Sequence, residues 1–186
     1  DIMFLRSKLT ENNSLNRFEL NQLRKLSKKY KIEFDNEHKM EIIDKLLLRV
    51  EIIPNSIVLA QAAIESGWGS SRFAQEYNAL FGEYTYDNTK GVIPLERENG
   101  ERHLIKAFNS YNNSVESYFN NINSHYAYED FRDIRNIMRT RNNFSNVNLL
   151  VDRLSTYAED ENYIKTIKQV IKSNNFIVFD QKTISY

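Results

Sequence analysis

Glu65 is the residue whose surroundings in this sequence best suit acid–base chemistry. It follows residues 57–64, a run in which Gln61 carries the only polar side chain. A helix that is apolar on nearly every side is a buried one. Burial raises the pKa of a carboxyl, and so does the negative end of the helix macrodipole. Trp68, the only tryptophan, could shield the group further. A glutamic acid that stays protonated near neutral pH can protonate a glycosidic oxygen.

The position of Glu65 also allows a simpler interpretation, in which the residue ends a core helix in a solvated turn. A negative charge at a helix C-terminus is mildly unfavourable, and the sequence Gly67-Trp-Gly69 directly after it is unusual. Position alone leaves both interpretations open.

Charge and composition argue against several classes of protein. Lys plus Arg and Asp plus Glu each number 25, whereas a general affinity for nucleic acid normally shows as a basic excess. The chain has no cysteine, so it has no disulfide, thiolate zinc site or cysteine nucleophile. His38, His103 and His125 lack the spacing of metal ligands, and there is no Gly-rich phosphate loop. We therefore expect no metal, no cofactor and no nucleic-acid partner.

Helical spacing of apolar residues predicts three helices in the first part of the chain. The first spans residues 14–31, and the second follows a cap at Asp35 or Asn36. The third, residues 54–66, is the buried helix that carries Glu65 at its last turn.

Three short apolar runs in the middle of the chain predict a small β lobe. Turn-forming residues separate them, which is the pattern of an antiparallel hairpin or of three short strands. Proline cannot donate to a strand ladder, so the strand that contains Pro94 is predicted to lie at an edge. The runs are residues 80–86, 92–95 and 103–108.

Helical spacing returns in the last third of the chain, whereas the tail 176–179 is predicted to be extended. The helices are predicted at residues 114–124, 128–141, 146–158 and 160–174. Together these elements predict an α+β fold that is mostly helical, with the β lobe inserted between helices. We expect a helical extension at residues 1–51, packed on a main domain at residues 52–186.

No apolar run approaches the roughly 20 residues that a membrane span requires. We therefore expect no membrane span in this chain. A signal or anchor would have been removed before residue 1. We also expect a monomer.

Four blocks of the sequence carry a resemblance to a known family, and they are Ala60–Ala74, Tyr77–Gly82, Phe108–Tyr118 and Tyr157–Tyr163. In this order they resemble the motifs of the family-73 glycoside hydrolases. These are peptidoglycan β-N-acetylglucosaminidases with a lysozyme-like fold. The resemblance is strongest to the Bax-type branch, in the hairpin at residues 92–97 and the tail at residues 174–180, and it covers roughly residues 52–180.

The resemblance implies cleavage of the β-1,4 bond after N-acetylglucosamine in peptidoglycan, in the bacterial periplasm or at the cell surface. It implies Glu65 as the general acid and a second glutamate in the β lobe. The best correspondence to the family's strand is Leu95–Gly100, which makes Glu96 the candidate and Glu98 the alternate. Residues two apart in a strand share a face, so strand geometry does not choose between them. The substrate's own N-acetyl group could instead assist, leaving Glu65 as the only essential carboxylate.

The resemblance also implies a cleft lined by residues from the other blocks. Tyr157 is favoured as the catalytic tyrosine, to orient the N-acetyl group or the attacking water. Six residues apart on one helix, Tyr157 and Tyr163 would point to different faces, which would place one of them in the core. The expected substrate-binding residues are Trp68, Asn78, Phe81, Tyr84, Glu98 and Tyr163.

Two other functions remain open at this stage. A lytic transglycosylase also uses one glutamate, but cleaves after N-acetylmuramic acid and leaves a 1,6-anhydro end. A glycan-binding module of the same fold would bind without turnover.

Overall fold

A computed structural model describes residues 2–11, 14–94, 102–141 and 146–180. The α-helices are α1 (Ile2–Thr10), α2 (Arg17–Lys29), α3 (Lys39–Arg49), α4 (Asn55–Glu65), α5 (Arg72–Tyr77), α6 (Tyr111–Ser124), α7 (Glu129–Thr140), α8 (Asn148–Val151) and α9 (Tyr163–Ser173). The strands are β1 (Tyr84–Thr85), β2 (Gly91–Val92) and β3 (Leu104–Lys106). Two 3-10 helices span Tyr126–Tyr128 and Phe176–Phe179. Within these described ranges, no helix has the length and apolar character needed to cross a membrane.

The chain divides into two compact units. The first contains Asp1–Ile52 and Asn120–Thr156, and the second contains Ile53–Phe119 and Tyr157–Tyr186. The N-terminal part of the first unit ends beside the domain boundary proposed from the sequence. The same unit also contains residues 120–156, which the sequence assigned to the main domain.

The first unit contains an apolar core between its N-terminal helices. It also contains a buried arginine, Arg135. Leu23, Ile43 and Leu46 are fully buried in that core. The guanidinium of Arg135 donates hydrogen bonds to the carbonyls of Leu48 (2.9 Å) and Ile52 (3.1 Å), and burial lowers its pKa to about 10. A cation at the end of α3 satisfies carbonyls that the helix leaves without partners.

Helices α2 and α3 begin in different ways. Asn16 caps α2, and the Glu19 carboxylate accepts from the Asn16 N–H to complete a capping box. The local sequence therefore strongly indicates where α2 begins. The predicted cap of α3 is wrong: the helix begins after His38, which makes no side-chain cap bond. The carboxylate of Asp35 is occupied by the backbone N–H of Glu37 and by the ring of His38.

The second unit is built around α4, as the apolar run indicated. Ile57 and Ala60 are fully buried, and the helix ends at Glu65, followed by Gly67 at φ +56°. A glycine in the left-handed region is the usual helix terminator.

The β lobe is a three-stranded antiparallel sheet with the order β1-β3-β2. Strand β2 therefore lies at an edge, as Pro94 indicated. A Cβ at Gly91 would lie 2.5 Å from the Cβ of Leu104 and 2.6 Å from Cγ2 of Thr85. Only glycine allows this close approach of β2 to its neighbours.

Two predictions about the last third of the chain are wrong. The helix predicted at 146–158 is reduced to α8, because the backbone turns after it through i to i+3 bonds, such as that from the Leu154 N–H to the Val151 carbonyl. The tail is a 3-10 helix rather than extended. Its β-branched content favours a strand, but its contacts with α4 decide its conformation.

The tail supplies the N-terminal cap that α4 lacks locally. Pro54, at the N-cap position, makes no side-chain cap bond. Instead, Oδ1 of Asp180 accepts from the Ser56 N–H (2.7 Å), and Oδ2 accepts from the Ser56 hydroxyl (2.6 Å). The Asn55 side chain donates to the Phe179 carbonyl (2.8 Å). A carboxylate at this helix end also complements the macrodipole.

Replacing Asp180 by alanine is expected to lower the free energy of unfolding by about 1–2 kcal/mol, the usual cost of losing an N-cap. Urea denaturation followed by circular dichroism measures the change. Glu159→Ala, which truncates an exposed carboxylate, is the control and is expected to change stability by less than about 0.5 kcal/mol. Equal stability of the two variants would show that Asp180 does not cap α4.

Candidate active site

The carboxyl of Glu65 lies at the C-terminal end of α4. Two residues from elsewhere in the second unit, Tyr163 and Gly82, approach its two oxygens. The Tyr163 hydroxyl, at the start of α9, donates to Oε1 at 2.8 Å. Gly82 approaches the other oxygen, since a Cβ there would lie 3.3 Å from Oε2. The Gly82 backbone has φ +60°, a conformation that glycine adopts without strain.

Burial raises the pKa of Glu65, and the hydrogen bond from Tyr163 lowers it to a smaller extent. The net direction is upward because desolvation penalises the charged form. The side chain is half-buried, so it can reach a ligand. Glu65 therefore keeps its proton to a higher pH than an ordinary glutamic acid.

A chain of hydrogen bonds from the core fixes the direction in which Tyr163 donates. The Tyr118 hydroxyl donates to Oε1 of Gln61 (2.6 Å), so the Gln61 amide points its N–H groups the other way. Nε2 of Gln61 donates to the Tyr163 oxygen (2.8 Å), which leaves the Tyr163 proton to point at Glu65. Gln61 and Glu65 are four residues apart and share a face of α4.

Tyr163 rather than Tyr157 contacts the carboxyl of Glu65. The Tyr157 hydroxyl donates to the Phe81 carbonyl (2.9 Å), and its ring stacks on that of Tyr163 at 5.8 Å and 4°. The prediction that the two rings point to different faces of one helix is wrong, because α9 begins at Tyr163 and Tyr157 precedes it.

Both tyrosines are held in the protonated state. Burial is the main cause for each: it raises the pKa of Tyr163 well above its ordinary value, and the charge of Glu65 adds to the effect. Burial likewise raises the pKa of Tyr157, with further contributions that include the charges of Glu65 and Glu83. The two hydroxyls are therefore hydrogen-bond donors and not bases.

Trp68 and Tyr84 are the exposed aromatic residues of the predicted set. In the sequence, Trp68 precedes Gly82 and Tyr84 follows it. Trp68 is 63% exposed, and its ring lies 6.4 Å from that of Phe176, so it packs against the tail. Tyr84, in β1, is 61% exposed and stacks on His103 at 4.3 Å. Both rings are open to a ligand.

Two other predicted residues have structural roles. Phe81 is only 2% exposed and stacks on Tyr118 at 4.1 Å, so its ring has no open face for a sugar and that prediction is wrong. Asn78 ends α5 with φ +52°, and its amide donates to the Phe108 carbonyl (3.0 Å). Glu96 and Glu98 lie outside the described residues.

Sequence reasoning missed Gln61 and Glu83. The signal for Gln61 was present, since it is the one polar side chain in an apolar helix run, and such a residue must find hydrogen-bond partners when buried. Glu83 directly follows Gly82 within an apolar run, and its side chain is 5% exposed. A charged residue at such a position is rarely buried unless it is paired.

The site thus contains a half-buried glutamic acid at a helix end and a tyrosine hydroxyl that donates to it, and the exposed rings of Trp68 and Tyr84 belong to the same unit. With the helical scaffold and small antiparallel sheet, these features match those of a glycoside hydrolase domain. The family described as mannosyl-glycoprotein endo-beta-N-acetylglucosaminidase matches residues 40–176, and the chain belongs to this glucosaminidase family. The resemblance to the family-73 glycoside hydrolases is thereby confirmed.

Known proteins of similar sequence include two from Escherichia coli. The chain is 32% identical to protein bax over 137 residues, which cover 74% of this chain and 48% of bax. It is 40% identical to peptidoglycan hydrolase FlgJ over 75 residues, which cover 35% of this chain and 24% of FlgJ. The chain thus spans about half or less of the length of these relatives.

The catalytic domain of the autolysin Auto from Listeria monocytogenes has a similar structure. The TM-score is 0.51 at 19% identity, covering 97% of this chain and 98% of that domain. At this identity the similarity concerns the fold, and it confirms the α+β fold class expected from the sequence.

Replacing Tyr163 by phenylalanine is expected to raise the pKa of Glu65 further, because the lost hydrogen bond favours the charged form. Titration of the Glu65 carboxyl carbon by NMR measures the change. Tyr157→Phe is the control, since that hydroxyl donates to Phe81, and it is expected to change the Glu65 pKa less. An unchanged or lowered pKa in Tyr163→Phe would contradict this account of the site.

Proposed function

We propose that the chain hydrolyses the β-1,4 bond after N-acetylglucosamine in peptidoglycan, with Glu65 as the general acid. The observation that carries the proposal is the half-buried carboxyl of Glu65, whose pKa is raised by burial and which Tyr163 holds at the end of α4. Family membership supports it, and so does the naming of FlgJ as a peptidoglycan hydrolase.

The geometry favours Oε2 of Glu65 as the atom that carries the proton. Oε1 already accepts the Tyr163 hydroxyl, whereas Oε2 faces Gly82, where the missing side chain leaves room. In the proposed reaction, the proton passes from Oε2 to the glycosidic oxygen as the C–O bond breaks. The Tyr163 hydrogen bond then stabilises the carboxylate that remains.

Water attacks the anomeric carbon and loses a proton to a second group. We propose Glu96 for this role, with Glu98 as the alternate. In a third possibility, the substrate's N-acetyl oxygen attacks the anomeric carbon as the glycosidic bond breaks, and water then opens this cyclic intermediate while losing a proton to the Glu65 carboxylate. Tyr157 is proposed to orient the N-acetyl group or the water. Because its hydroxyl donates to Phe81, that role requires the hydroxyl to exchange this partner for the substrate.

The proposed partner is the glycan strand of peptidoglycan, and the proposed location is the bacterial periplasm or cell surface, where that polymer lies. The exposed rings of Trp68 and Tyr84 are proposed to stack on sugar rings, and Asn78 to line the cleft beside them. We propose that the domain acts as a monomer.

Replacing Glu65 by glutamine is expected to slow the digestion of purified peptidoglycan by at least about 100-fold, the lower range for the loss of a general acid. The release of reducing ends measures the rate, and the melting temperature tests that the fold is intact. Glu76→Gln, which changes an exposed glutamate on α5, is the control and is expected to retain full activity. Activity of Glu65→Gln within tenfold of the unaltered protein would contradict the assignment.

Mass spectrometry of the products separates the proposed reaction from its alternatives. N-acetylglucosamine at the new reducing end supports the proposal, whereas a 1,6-anhydro end would indicate a lytic transglycosylase. Binding to the glycan without release of reducing ends between pH 5 and 8 would indicate a binding module.

A further inference from the structure

The buried side chain of Glu83 forms a cluster with Lys106 and Ser117, which are partly exposed. Oε2 of Glu83 accepts from the Lys106 ammonium (2.9 Å) and from the Ser117 hydroxyl (2.9 Å). The Lys106 ammonium also donates to the Ser117 oxygen (3.2 Å). The Glu83 cluster therefore ties the residue before β1 to strand β3 and helix α6.

Stability alone does not account for the Glu83 cluster. The desolvation of the buried Glu83 carboxylate offsets much of its attraction to the partly exposed Lys106 ammonium, so the ion pair by itself is weak evidence for a role in stability. In addition, Oε1 of Glu83 is buried without a hydrogen-bond partner among the described residues, which costs free energy. An unsatisfied buried atom in a folded protein often accompanies a functional constraint.

The residues just before Glu83 contact the site one after the other. The Phe81 carbonyl accepts the Tyr157 hydroxyl, and Gly82 lies against Oε2 of Glu65. The Leu80 N–H, which precedes them, donates to the Ser114 hydroxyl of α6 (3.1 Å). Leu80 and Glu83 are thus both hydrogen-bonded to α6. Of the two residues between them, Phe81 contacts Tyr157 and Gly82 contacts Glu65.

We propose that Glu83 is a positioning residue: its bonds to Lys106 and Ser117 hold the Phe81–Gly82 backbone against Glu65 and Tyr157. The Gly82 backbone then limits the access of water to Oε2, while its missing side chain leaves room for the substrate, and the Phe81 carbonyl holds the Tyr157 ring against that of Tyr163. The effect on turnover rests on the proposed function, whereas the effect on the environment of Glu65 does not.

The variant Lys106→Met separates positioning from a simple charge effect, because the two act in opposite directions on Glu65. Losing a cation can only disfavour the carboxylate, so a charge effect would raise the pKa of Glu65. Releasing the Phe81–Gly82 backbone admits water to Oε2, which lowers it. The other titratable groups that face Glu65 are Tyr163 from α9 and Tyr157, and both remain in this variant.

The experiment is an NMR titration of the Glu65 carboxyl carbon in Lys106→Met, with Lys90→Met as the matched control. The Lys90 ion pair with Asp87 lies in the same β lobe but is exposed. We expect the pKa of Glu65 to fall towards its ordinary value in Lys106→Met and to stay unchanged in Lys90→Met. A rise or no change in Lys106→Met would overturn the proposal.

Ser117→Ala provides a second variant if Lys106→Met does not fold. It removes the two hydrogen bonds that the Ser117 hydroxyl makes with Glu83 and Lys106 without altering any charge, so a fall in the Glu65 pKa can come only from displaced groups. We expect the same direction with a smaller size. An unchanged pKa in a folded Ser117→Ala protein would count against positioning by the cluster.

Kinetics on peptidoglycan fragments provide the functional readout. We expect Glu83→Gln to lower kcat by about tenfold or more with KM changed less than about twofold, since small displacements of reacting groups affect mainly the chemical step. A kcat within twofold of the unaltered protein would overturn the proposal. If the unaltered protein releases no reducing ends, the proposed function fails, while the NMR titration still decides the role of Glu83.

Discussion

The hydrogen bond between Tyr163 and Glu65 is the interaction around which the second unit is arranged. It has a defined direction only because Gln61 and Tyr118 precede it in one chain of donors and acceptors. Burial of α4 makes the protonated acid favourable, and the hydrogen bond limits how far that preference extends. Burial and the hydrogen bond therefore shift the pKa of Glu65 in opposite directions, and both depend on residues distant in sequence.

The direction of the pKa shift of Glu65 could be predicted from the sequence because the signals for its burial are local. An apolar run, a helix end and a following glycine turn are all visible within about a dozen residues. The choice between Tyr157 and Tyr163 could not be predicted, because it depends on where α9 begins and not on the spacing of the two residues. The buried place of Phe81 likewise depends on the distant ring of Tyr118.

The same distinction applies to the fold. The edge position of β2 follows from one proline, and the central helix follows from its apolar residues. The cap of α3 and the conformation of the tail could not be predicted, since Asp35 has other partners and the tail takes its shape from α4. In the tail, contacts with a distant segment override local propensity, whereas Asp35 is occupied by residues two and three positions away.

The cap that Asp180 places on Ser56 has a consequence for how the second unit assembles. The two residues are 124 positions apart, so their contact closes a long loop, and contacts of this kind form late because their entropic cost comes before their gain. The helix that carries Glu65 is thus the first helix of its unit in the sequence and among the last to be completed. Its other end also depends on a distant residue, since Tyr163 lies 98 positions from Glu65.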